Sequence, residues 1–203
     1  MNYSKWKRRV SKARELGAGN ILMCFITRLR FKWLHRKFNF DPWHCSGTYH
    51  CRPYQRVAVN LVNNLTPKTV VEVGCGLGEI ITRINAPYLA GYDLEQAVID
   101  AARHFRDAEI NFQVGSGPDV EEDQIDVLIA LNWIHNLSPF EMREFLEPFY
   151  DRVSYFLLER ITPGQPGYRF NHDFSFLKGY AELIDAKAGG IGEPRTLMLF
   201  KVV

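Results

Sequence analysis

The residues of this chain best suited to ligand binding form a glycine-rich loop directly after an apolar run. The β-branched run at 70–73 is followed by Gly74, Gly76 and Gly78 at alternate positions. Glycines at the end of a buried strand let the backbone approach a ligand where any Cβ would collide. Asp93 ends the next apolar run, where a carboxylate can accept hydrogen bonds from both hydroxyls of a ribose. Together the two features predict a site for a ribose-containing ligand.

The spacing of the glycines argues against a dinucleotide. A dinucleotide site has the spacing G-x-G-x-x-G and holds its pyrophosphate at a helix N-terminus. Here the third glycine comes one residue early, and Glu79, whose carboxylate would repel a pyrophosphate, stands where a glycine would be needed. The pattern E-x-G-x-G-x-G, which starts at Glu72, instead resembles the first motif of class I S-adenosylmethionine-dependent methyltransferases, whose cofactor carries a ribose but no phosphate.

The resemblance implies roles for the motif and for neighbouring strand ends. In the family, Glu72 acts through the loop and its amides, the glycines line the methionine portion, and Asp93 binds the ribose diol. Leu94, Ser116 and Asn132 are then expected to line the same S-adenosylmethionine site. Many members carry an aspartate after the third strand, which accepts from the adenine amino group. This chain has Ser116 there, and its hydroxyl or the adjoining backbone is the expected substitute.

Strands and helices alternate from residue 69 onward. Predicted strands cover 69–73, 88–93, 110–114, 125–131, 153–159, 182–187 and 196–202, and predicted helices cover 53–65, 79–84 and 95–105. Ser138, with Glu141 three residues later, forms a capping-box pattern that begins another helix. This alternation predicts a parallel sheet with helices on both faces. The resemblance implies an α/β, Rossmann-like doubly wound fold of seven strands, ordered 3-2-1-4-5-7-6, with the last strand antiparallel.

Two histidines are candidate catalytic bases. Residues 126–137 resemble the family's fourth strand and the loop beneath the transferable methyl, without the Asn/Asp-Pro-Pro-aromatic motif of enzymes that methylate exocyclic base amines. Histidine changes protonation near neutral pH, so His135 in this loop can deprotonate a hydroxyl nucleophile or can merely brace the loop. His172 is the second candidate. The alternative there is that Asn171 or Asp173 caps a helix.

An aromatic, histidine-rich connector runs from Asp41 to Pro53, where the first predicted helix of the domain begins. It contains two His-Cys pairs, at 44–45 and 50–51, which invite comparison with a zinc site. No Cys-x-x-Cys accompanies them, so we predict no metal. The remaining interpretations are a lid whose aromatic rings shield the cofactor and a packed connector. In the lid interpretation, Tyr49 and Arg52 lie near the substrate, together with Trp133 from the loop after the fourth strand.

Length and charge indicate one α/β domain behind a basic N-terminal extension. The chain has 203 residues and a net charge of +2. Residues 1–40 hold 11 Lys/Arg and one acid, a net of +10, and the remainder holds 14 Lys/Arg and 22 acids, a net of −8. Such asymmetry is typical of a basic arm that meets an anionic surface. We divide the chain into an extension and lid, 1–51, and a cofactor-binding domain, 52–203.

An apolar stripe runs through the extension at helical spacing. It consists of Ile21, Leu22, Phe25, Leu29 and Trp33, with Lys and Arg between or beside them. Residues 28–33 also alternate strictly, so a strand is possible there, but a helix is favoured. A helix of this kind within residues 1–37 fits an anionic membrane surface. RNA fits the same composition less well, because no RNA-binding motif accompanies it, and packing of the stripe on the domain is the third possibility.

The cysteines and the apolar runs bear on location. Cys24, Cys45, Cys51 and Cys75 lack paired spacing, which predicts reduced thiols in a cytoplasmic protein. The apolar run at 21–26 has no cleavage site of a signal peptide and is far shorter than the about 20 residues that span a bilayer. We therefore expect a cytoplasmic location, with peripheral binding at the inner face of the membrane as an option.

The resemblance implies an S-adenosylmethionine-dependent methyltransferase. The size of the chain and its basic extension suggest O-methylation of a small molecule or of a sugar in surface polysaccharide biosynthesis. Two alternatives stay open: an RNA methyltransferase that uses the basic arm, and a non-catalytic protein with the methyltransferase fold.

Overall fold

The computed structural model describes residues 3–106, 109–190 and 193–203. Its sheet consists of β1 (Thr69–Val73), β2 (Tyr88–Asp93), β3 (Asn111–Val114), β4 (Ile125–Ala130), β5 (Val153–Ile161), β6 (Ala181–Ala188) and β7 (Arg195–Val202). The strand order is β3-β2-β1-β4-β5-β7-β6. Strands β1 to β5 pair in parallel, and β7 runs antiparallel to β5 and β6. The predicted fold class, strand order and antiparallel last strand are confirmed.

Helices cover both faces of this sheet. They are α1 (Tyr3–Phe38), α2 (Pro53–Asn63), α3 (Gln96–Phe105) and α4 (Pro139–Leu146). Apolar residues of α1, α2 and α3 join one core cluster, and those of α4 join the cluster on the opposite face. The predicted capping box begins α4, where the Glu141 amide donates to Ser138 Oγ (3.3 Å) and the Ser138 amide donates to Glu141 Oε2 (2.6 Å).

The central strand shows why the sheet must be covered on both sides. Val70 of β1 packs in one cluster, and Val71 and Val73 pack in the other. Because successive side chains of a strand point to opposite faces of the sheet, a strand with only apolar residues must be covered on both faces. Beside β1 the order of strands reverses, since β2 follows on one side and β4 lies on the other. The carboxyl ends of these three strands form the crevice where doubly wound folds bind ligands.

The helix expected over 79–84 is wrong. The chain forms only a short 3₁₀ turn, Ile81–Arg83, after the glycine loop. The amide of Ile81 donates to Glu72 Oε2 (2.9 Å) rather than to a helical carbonyl. Pro87, just before β2, also disfavours helical conformation in the residue that precedes it. The loop therefore leads to β2 through a tight turn.

Residues 28–33 are helical, as favoured over a strand, but the predicted stripe does not pack on the domain. Phe31 and Leu34 of α1 are fully buried and belong to the core. The stripe residues are 44–61 % exposed. Burying the stripe would also bury Lys32 and Arg36, which lie along it at helical spacing, and burying unpaired charge is costly. The helix instead presents its uncharged face to the core.

The expectation of four reduced thiols is wrong for two of them. Cys24 of α1 and Cys51, 27 residues later, form a disulfide with Cα atoms 5.3 Å apart. Sequence spacing alone does not show this pair, because only the packing of α1 against the connector brings the two residues together. Cys45 and Cys75 are free, and burial raises the pKa of the Cys75 thiol well above its ordinary value. The disulfide fixes α1 to the chain just before α2.

Across the part of the chain that the structure describes, every helix is too short or too polar to cross a lipid bilayer.

Candidate functional site

The glycine loop leaves β1 in a conformation that favours glycine. Gly74 has φ 77° and Gly76 has φ 52°, in the left-handed region that side chains rarely adopt. The amides of Gly74 and Cys75 both donate to the carbonyl of Tyr92, at 2.7 and 2.9 Å. A Cβ added to Gly74 would lie 2.3 Å from the indole of Trp133. The loop is thus folded against β2 and closely covered by the ring of Trp133.

Asp93 holds the loop from the end of β2. Its Oδ2 accepts from the Gly76 amide (2.9 Å), and its Oδ1 accepts from the Glu95 amide (3.1 Å). The carboxylate is 8 % exposed and lines a cavity of about 280 Å³. Each carboxylate oxygen can accept more than one hydrogen bond, so a diol can still bind here. Leu94 and Ser116 line the same cavity.

Glu72 supports the loop from beneath. It is 5 % exposed, and its Oε2 accepts from Ile81. Burial raises the pKa of this carboxyl to about 8, since the Ile81 amide only partly offsets the lost hydration and the nearby acids Asp93 and Glu79 add to the shift. A neutral Glu72 is therefore the form that the fold favours at neutral pH. Its contacts are to the loop, in line with the role that the resemblance implies.

Glu79 ties the loop to the connector. Its carboxylate accepts from the amide of Tyr49 and forms an ion pair with Arg106, and Arg83 lies 3.8 Å away. Arg106 also donates to the carbonyl of Leu77 (2.8 Å). Glu79 thus joins the loop, the connector and the chain after α3.

The connector closes over the glycine loop. The rings of Trp43 and His44 stack 3.9 Å apart, and both residues line the cavities around the loop. His44 Nε2 lies 3.0 Å from Glu95 Oε2, and the other oxygen of Glu95 accepts from the Asp41 amide (2.7 Å). A Cβ on Gly76 would lie 3.0 Å from His44. This geometry fits the lid interpretation of the connector.

The zinc interpretation has no support in the described residues. His44 pairs with Glu95, and Cys51 is in the disulfide. Throughout residues 3–106, 109–190 and 193–203, no three His, Cys, Asp or Glu side chains are grouped so that they could hold a metal ion.

Asn132 and Trp133 stand between the loop and a second cavity. Trp133 Nε1 donates to the carbonyl of Val73 (2.7 Å) and its ring covers Gly74. Asn132 has φ 71°, an unusual conformation for a residue with a side chain. Both residues line a cavity of about 480 Å³ with Arg52 and Tyr168. Because Trp133 lines this cavity and the one at Asp93, the two adjoin.

His135 lies in the second cavity with a buried carboxylate behind it. Its Nδ1 is 3.3 Å from Glu159 Oε1, and its ring meets that of Tyr168 edge-on at 4.7 Å. Glu159 also accepts from the Asn132 amide (2.7 Å) and from Arg195 Nη1 (2.5 Å). A carboxylate accepts from Nδ1–H, which leaves the lone pair on Nε2. In the described chain Nε2 has no hydrogen-bond partner, so the imidazole can take a proton from a bound group.

Sequence reasoning missed Glu159 and Arg195. Glu159 is 1 % exposed and Arg195 is 3 % exposed, and on the antiparallel pair β5 and β7 Arg195 lies opposite Ile161, two residues beyond Glu159. Arg195 donates as well to Asn132 Oδ1 (3.2 Å) and to Tyr168 Oη (3.0 Å). An acid at the carboxyl end of an otherwise apolar run, residues 156–159, is the signal that could have found the carboxylate. The network holds both loops that line the second cavity.

Three predicted site residues lie apart from these cavities. His172 donates from Nε2 to the carbonyl of Ile134 (3.0 Å) and lines a different cavity. Gly78 faces Phe112, 2.8 Å from the position of an added Cβ. Tyr49 packs under the guanidinium of Arg83, 4.2 Å from its ring centre. The structure brings the other predicted site residues to the loop and its two cavities, and the roles of all of them stay predictions.

The sequence matches no family model and no curated protein. Solved structures do match. The N-methyltransferase NodS from Bradyrhizobium japonicum is 14 % identical, with a TM-score of 0.63 over 84 % of this chain and 97 % of its own. Magnesium protoporphyrin IX methyltransferase from Synechocystis is 12 % identical, with a TM-score of 0.62 over 90 % of this chain and 99 % of its own. TehB from Haemophilus influenzae is 13 % identical, with a TM-score of 0.58 over 73 % of this chain and 62 % of its own.

The chain has the fold of S-adenosylmethionine-dependent methyltransferases. The fold places the glycine loop and Asp93 at the switch in strand order. The antiparallel β7, which brings Arg195 beside Glu159, belongs to the same strand order.

Proposed function

We propose that this protein is an S-adenosylmethionine-dependent methyltransferase that O-methylates a small molecule or a sugar of a surface glycan. The observation that carries the proposal is the carboxylate of Asp93, fixed on the glycine loop beside a cavity that adjoins a second one. Two structures with this fold, NodS and magnesium protoporphyrin IX methyltransferase, hold S-adenosylhomocysteine. Two adjoining cavities are what a reaction between a methyl donor and an acceptor requires.

The donor set of the loop fits such a cofactor better than a dinucleotide. Beside Gly74 and Gly76 lie the rings of Trp133 and His44, which a Cβ at either glycine would meet. Asp93 places a carboxylate beside Gly76 that accepts, within the described chain, from backbone amides only, whereas Glu79 is paired with Arg106. Negative charge favours a ligand with a cationic sulfonium and an amino group and disfavours a pyrophosphate. When bound, S-adenosylmethionine supplies an electrophilic methyl group.

The chain's own groups then position and deprotonate the acceptor. His135 Nε2 is available to take the proton of a hydroxyl, and Glu159 keeps the imidazole in the required tautomer. Tyr168 and Trp133 line the cavity, where their rings can pack on the acceptor. Holding an acceptor at a fixed distance from the methyl group contributes much of the rate in reactions of this kind.

The second cavity also suggests the class of acceptor. Its aromatic walls are Trp43, Trp133 and Tyr168, and Arg52 joins them. Aromatic faces pack against the apolar faces of a sugar ring, and a guanidinium binds carboxylate or phosphate. A sugar with an acidic group, alone or at the end of a glycan, fits these walls.

Ligand-induced stabilisation tests the proposal. At 100 times its dissociation constant a ligand stabilises the folded state by about 2.7 kcal/mol, which raises the melting temperature of a domain this size by roughly 5–10 °C. We expect this shift with S-adenosylhomocysteine and none with NAD. No shift with S-adenosyl compounds at millimolar concentration would remove the proposal.

The Asp93→Ala variant tests whether S-adenosylhomocysteine binds at the glycine loop. The variant should lose most of the shift with S-adenosylhomocysteine while its melting temperature without ligand stays in the folded range, because two polar groups of a ribose lose their partner. Asp100→Ala, a half-exposed acid on α3, is the matched control and should keep the shift. Wild-type behaviour of Asp93→Ala would place the ligand elsewhere.

A further inference from the structure

We propose that the outer face of α1 is a docking surface for an anionic lipid membrane. This face is defined by the exposed apolar residues Ile21, Leu22, Phe25, Leu29 and Trp33, which are 44, 60, 61, 52 and 55 % exposed. At 3.6 residues per turn they form one stripe. The buried residues Thr27, Phe31 and Leu34 lie on roughly the opposite side of the helix. A stripe of this size on the surface marks an interaction site.

The charges around the outer face select the partner. From residue 17 to 40 the chain has five Lys/Arg and no Asp or Glu. The five are Arg28, Arg30, Lys32, Arg36 and Lys37, all exposed. Among the described residues none of them forms an ion pair with a carboxylate. Aliphatic and aromatic side chains flanked by cations are the composition of a helix that lies in the headgroup region of an anionic bilayer.

The helix is fixed in the orientation that exposes this face. Its inner side is tied by the disulfide of Cys24 to Cys51, and His50 Nδ1 lies 3.0 Å from Asn20 Oδ1. Phe31 packs edge-on against Phe105 of α3, with ring centres 6.1 Å apart. Rotating the stripe toward the core would break all three contacts. The outer face is therefore presented without prior rearrangement of the helix.

The position of the helix relates membrane binding to the candidate site. The inner side of α1 packs on the connector, and Cys45 Sγ donates to the carbonyl of Phe31 (3.4 Å). Trp43 and His44 of that connector line the cavity at Asp93. A membrane-bound α1 thus holds the lid of the site next to the lipid surface. The proposal itself depends only on the outer face and not on the proposed function.

Vesicle sedimentation with the full chain tests the proposal. The probes are vesicles of pure phosphatidylcholine and vesicles with about 30 % phosphatidylglycerol. We expect the chain to sediment with the anionic vesicles only, and less at high salt, because salt screens the cations. Equal sedimentation with both kinds of vesicle, or with neither, would overturn the proposal.

Two triple variants separate the apolar and the cationic contributions. Phe25→Gln/Leu29→Gln/Trp33→Gln should weaken binding at least about tenfold, since the stripe no longer enters the headgroup region. Arg28→Gln/Lys32→Gln/Arg36→Gln should weaken it about 100-fold, at about fivefold for each cation. The matched control Arg143→Gln/Lys178→Gln/Lys201→Gln removes exposed cations elsewhere and should bind as wild type.

The other possible occupants give different results. Unchanged vesicle binding by the apolar triple variant would show that the stripe is not the docking surface. If the wild-type chain binds RNA in a salt-sensitive way but binds no vesicles, and the apolar triple variant still binds RNA, the face is assigned to nucleic acid. A dimer in sedimentation equilibrium that this variant converts to a monomer would assign it to a second copy. Melting temperatures near wild type establish that each variant is folded, because all substituted side chains are exposed.

Discussion

His135 Nδ1 lies 3.3 Å from Oε1 of Glu159, a residue that is only 1 % exposed to solvent. The second imidazole nitrogen has no hydrogen-bond partner among the described residues, and His135 lines a cavity together with Asn132 and Trp133. His172 donates from Nε2 to the carbonyl of Ile134 and lines a different cavity, away from the glycine loop. The geometry therefore favours His135 as the base.

Replacing His135 should lower turnover and spare cofactor binding. We expect His135→Gln to reduce kcat by roughly 10²–10⁴, the usual contribution of a general base, with little change in the dissociation constant of S-adenosylhomocysteine. The measurement is turnover with the acceptor, once identified, next to calorimetric titration. His172→Gln is the control and should keep near-normal turnover. If His172→Gln loses turnover and His135→Gln keeps it, the assignment of the base is reversed.

The ion pair of Glu159 with Arg195 should be required for stability. Arg195→Met leaves the carboxylate buried without its cation, and breaking such a pair costs about 3–5 kcal/mol. Denaturant unfolding measures this loss. Arg143→Met removes an exposed arginine of α4 and should change the free energy of unfolding by less than about 0.5 kcal/mol. A loss of similar size in both variants would contradict the importance of the buried pair.

The raised pKa of Glu72 predicts a pH dependence of stability. Because burial raises the pKa to about 8 in the folded state, the folded chain binds the proton more tightly than the unfolded chain. The stabilisation is complete below the ordinary pKa of glutamate and is lost as pH rises through about 8. The slope is at most about 1.4 kcal/mol per pH unit. In Glu72→Gln the side-chain amide oxygen can still accept from the Ile81 amide. Urea titrations of this variant should show a smaller decrease in the free energy of unfolding between pH 5 and 8 than wild type. An unchanged decrease would show that Glu72 is not its cause.

The disulfide of Cys24 with Cys51 should stabilise the fold. Closing a loop of 27 residues in the unfolded chain corresponds to about 3.5 kcal/mol in the chain-entropy model. In urea unfolding under oxidising conditions, Cys24→Ser should lose most of this free energy of unfolding. A reductant should lower the free energy of unfolding of wild type and leave that of the variant unchanged. Cys45→Ser is the control, since a hydroxyl can still donate to the Phe31 carbonyl. Equal stability of wild type with and without reductant would show that the bond contributes little.

The glycine loop and Asp93 could be recognised in the sequence because their signals are local. Gly74, Gly76 and Asp93 each follow a short apolar run, and strand alternation places those runs side by side. The capping box of Ser138 is equally local. Such features depend on neighbours within a few residues, so spacing suffices to predict them.

The buried ion pair, the disulfide and the orientation of α1 could not be predicted, because they depend on contacts between segments far apart in the sequence. The approach of Arg195 to Glu159 requires the antiparallel register of β7 on β5, and the disulfide requires the docking of α1 on the connector. The orientation of α1 was undetermined because two of its faces carry large apolar side chains. Phe31 and Leu34 are buried, whereas Phe25 is exposed, since only the inner face is free of charge. Periodicity finds a stripe but does not choose between faces.

The most direct test of a methyl-donor site at the glycine loop is a crystal structure of the chain with S-adenosylhomocysteine at millimolar concentration. We expect electron density in the cavity beside Gly74, with the ribose hydroxyls on the carboxylate of Asp93 and the sulfur facing the cavity that contains His135. Density for the ligand at another place, or no density at millimolar concentration, would contradict the account.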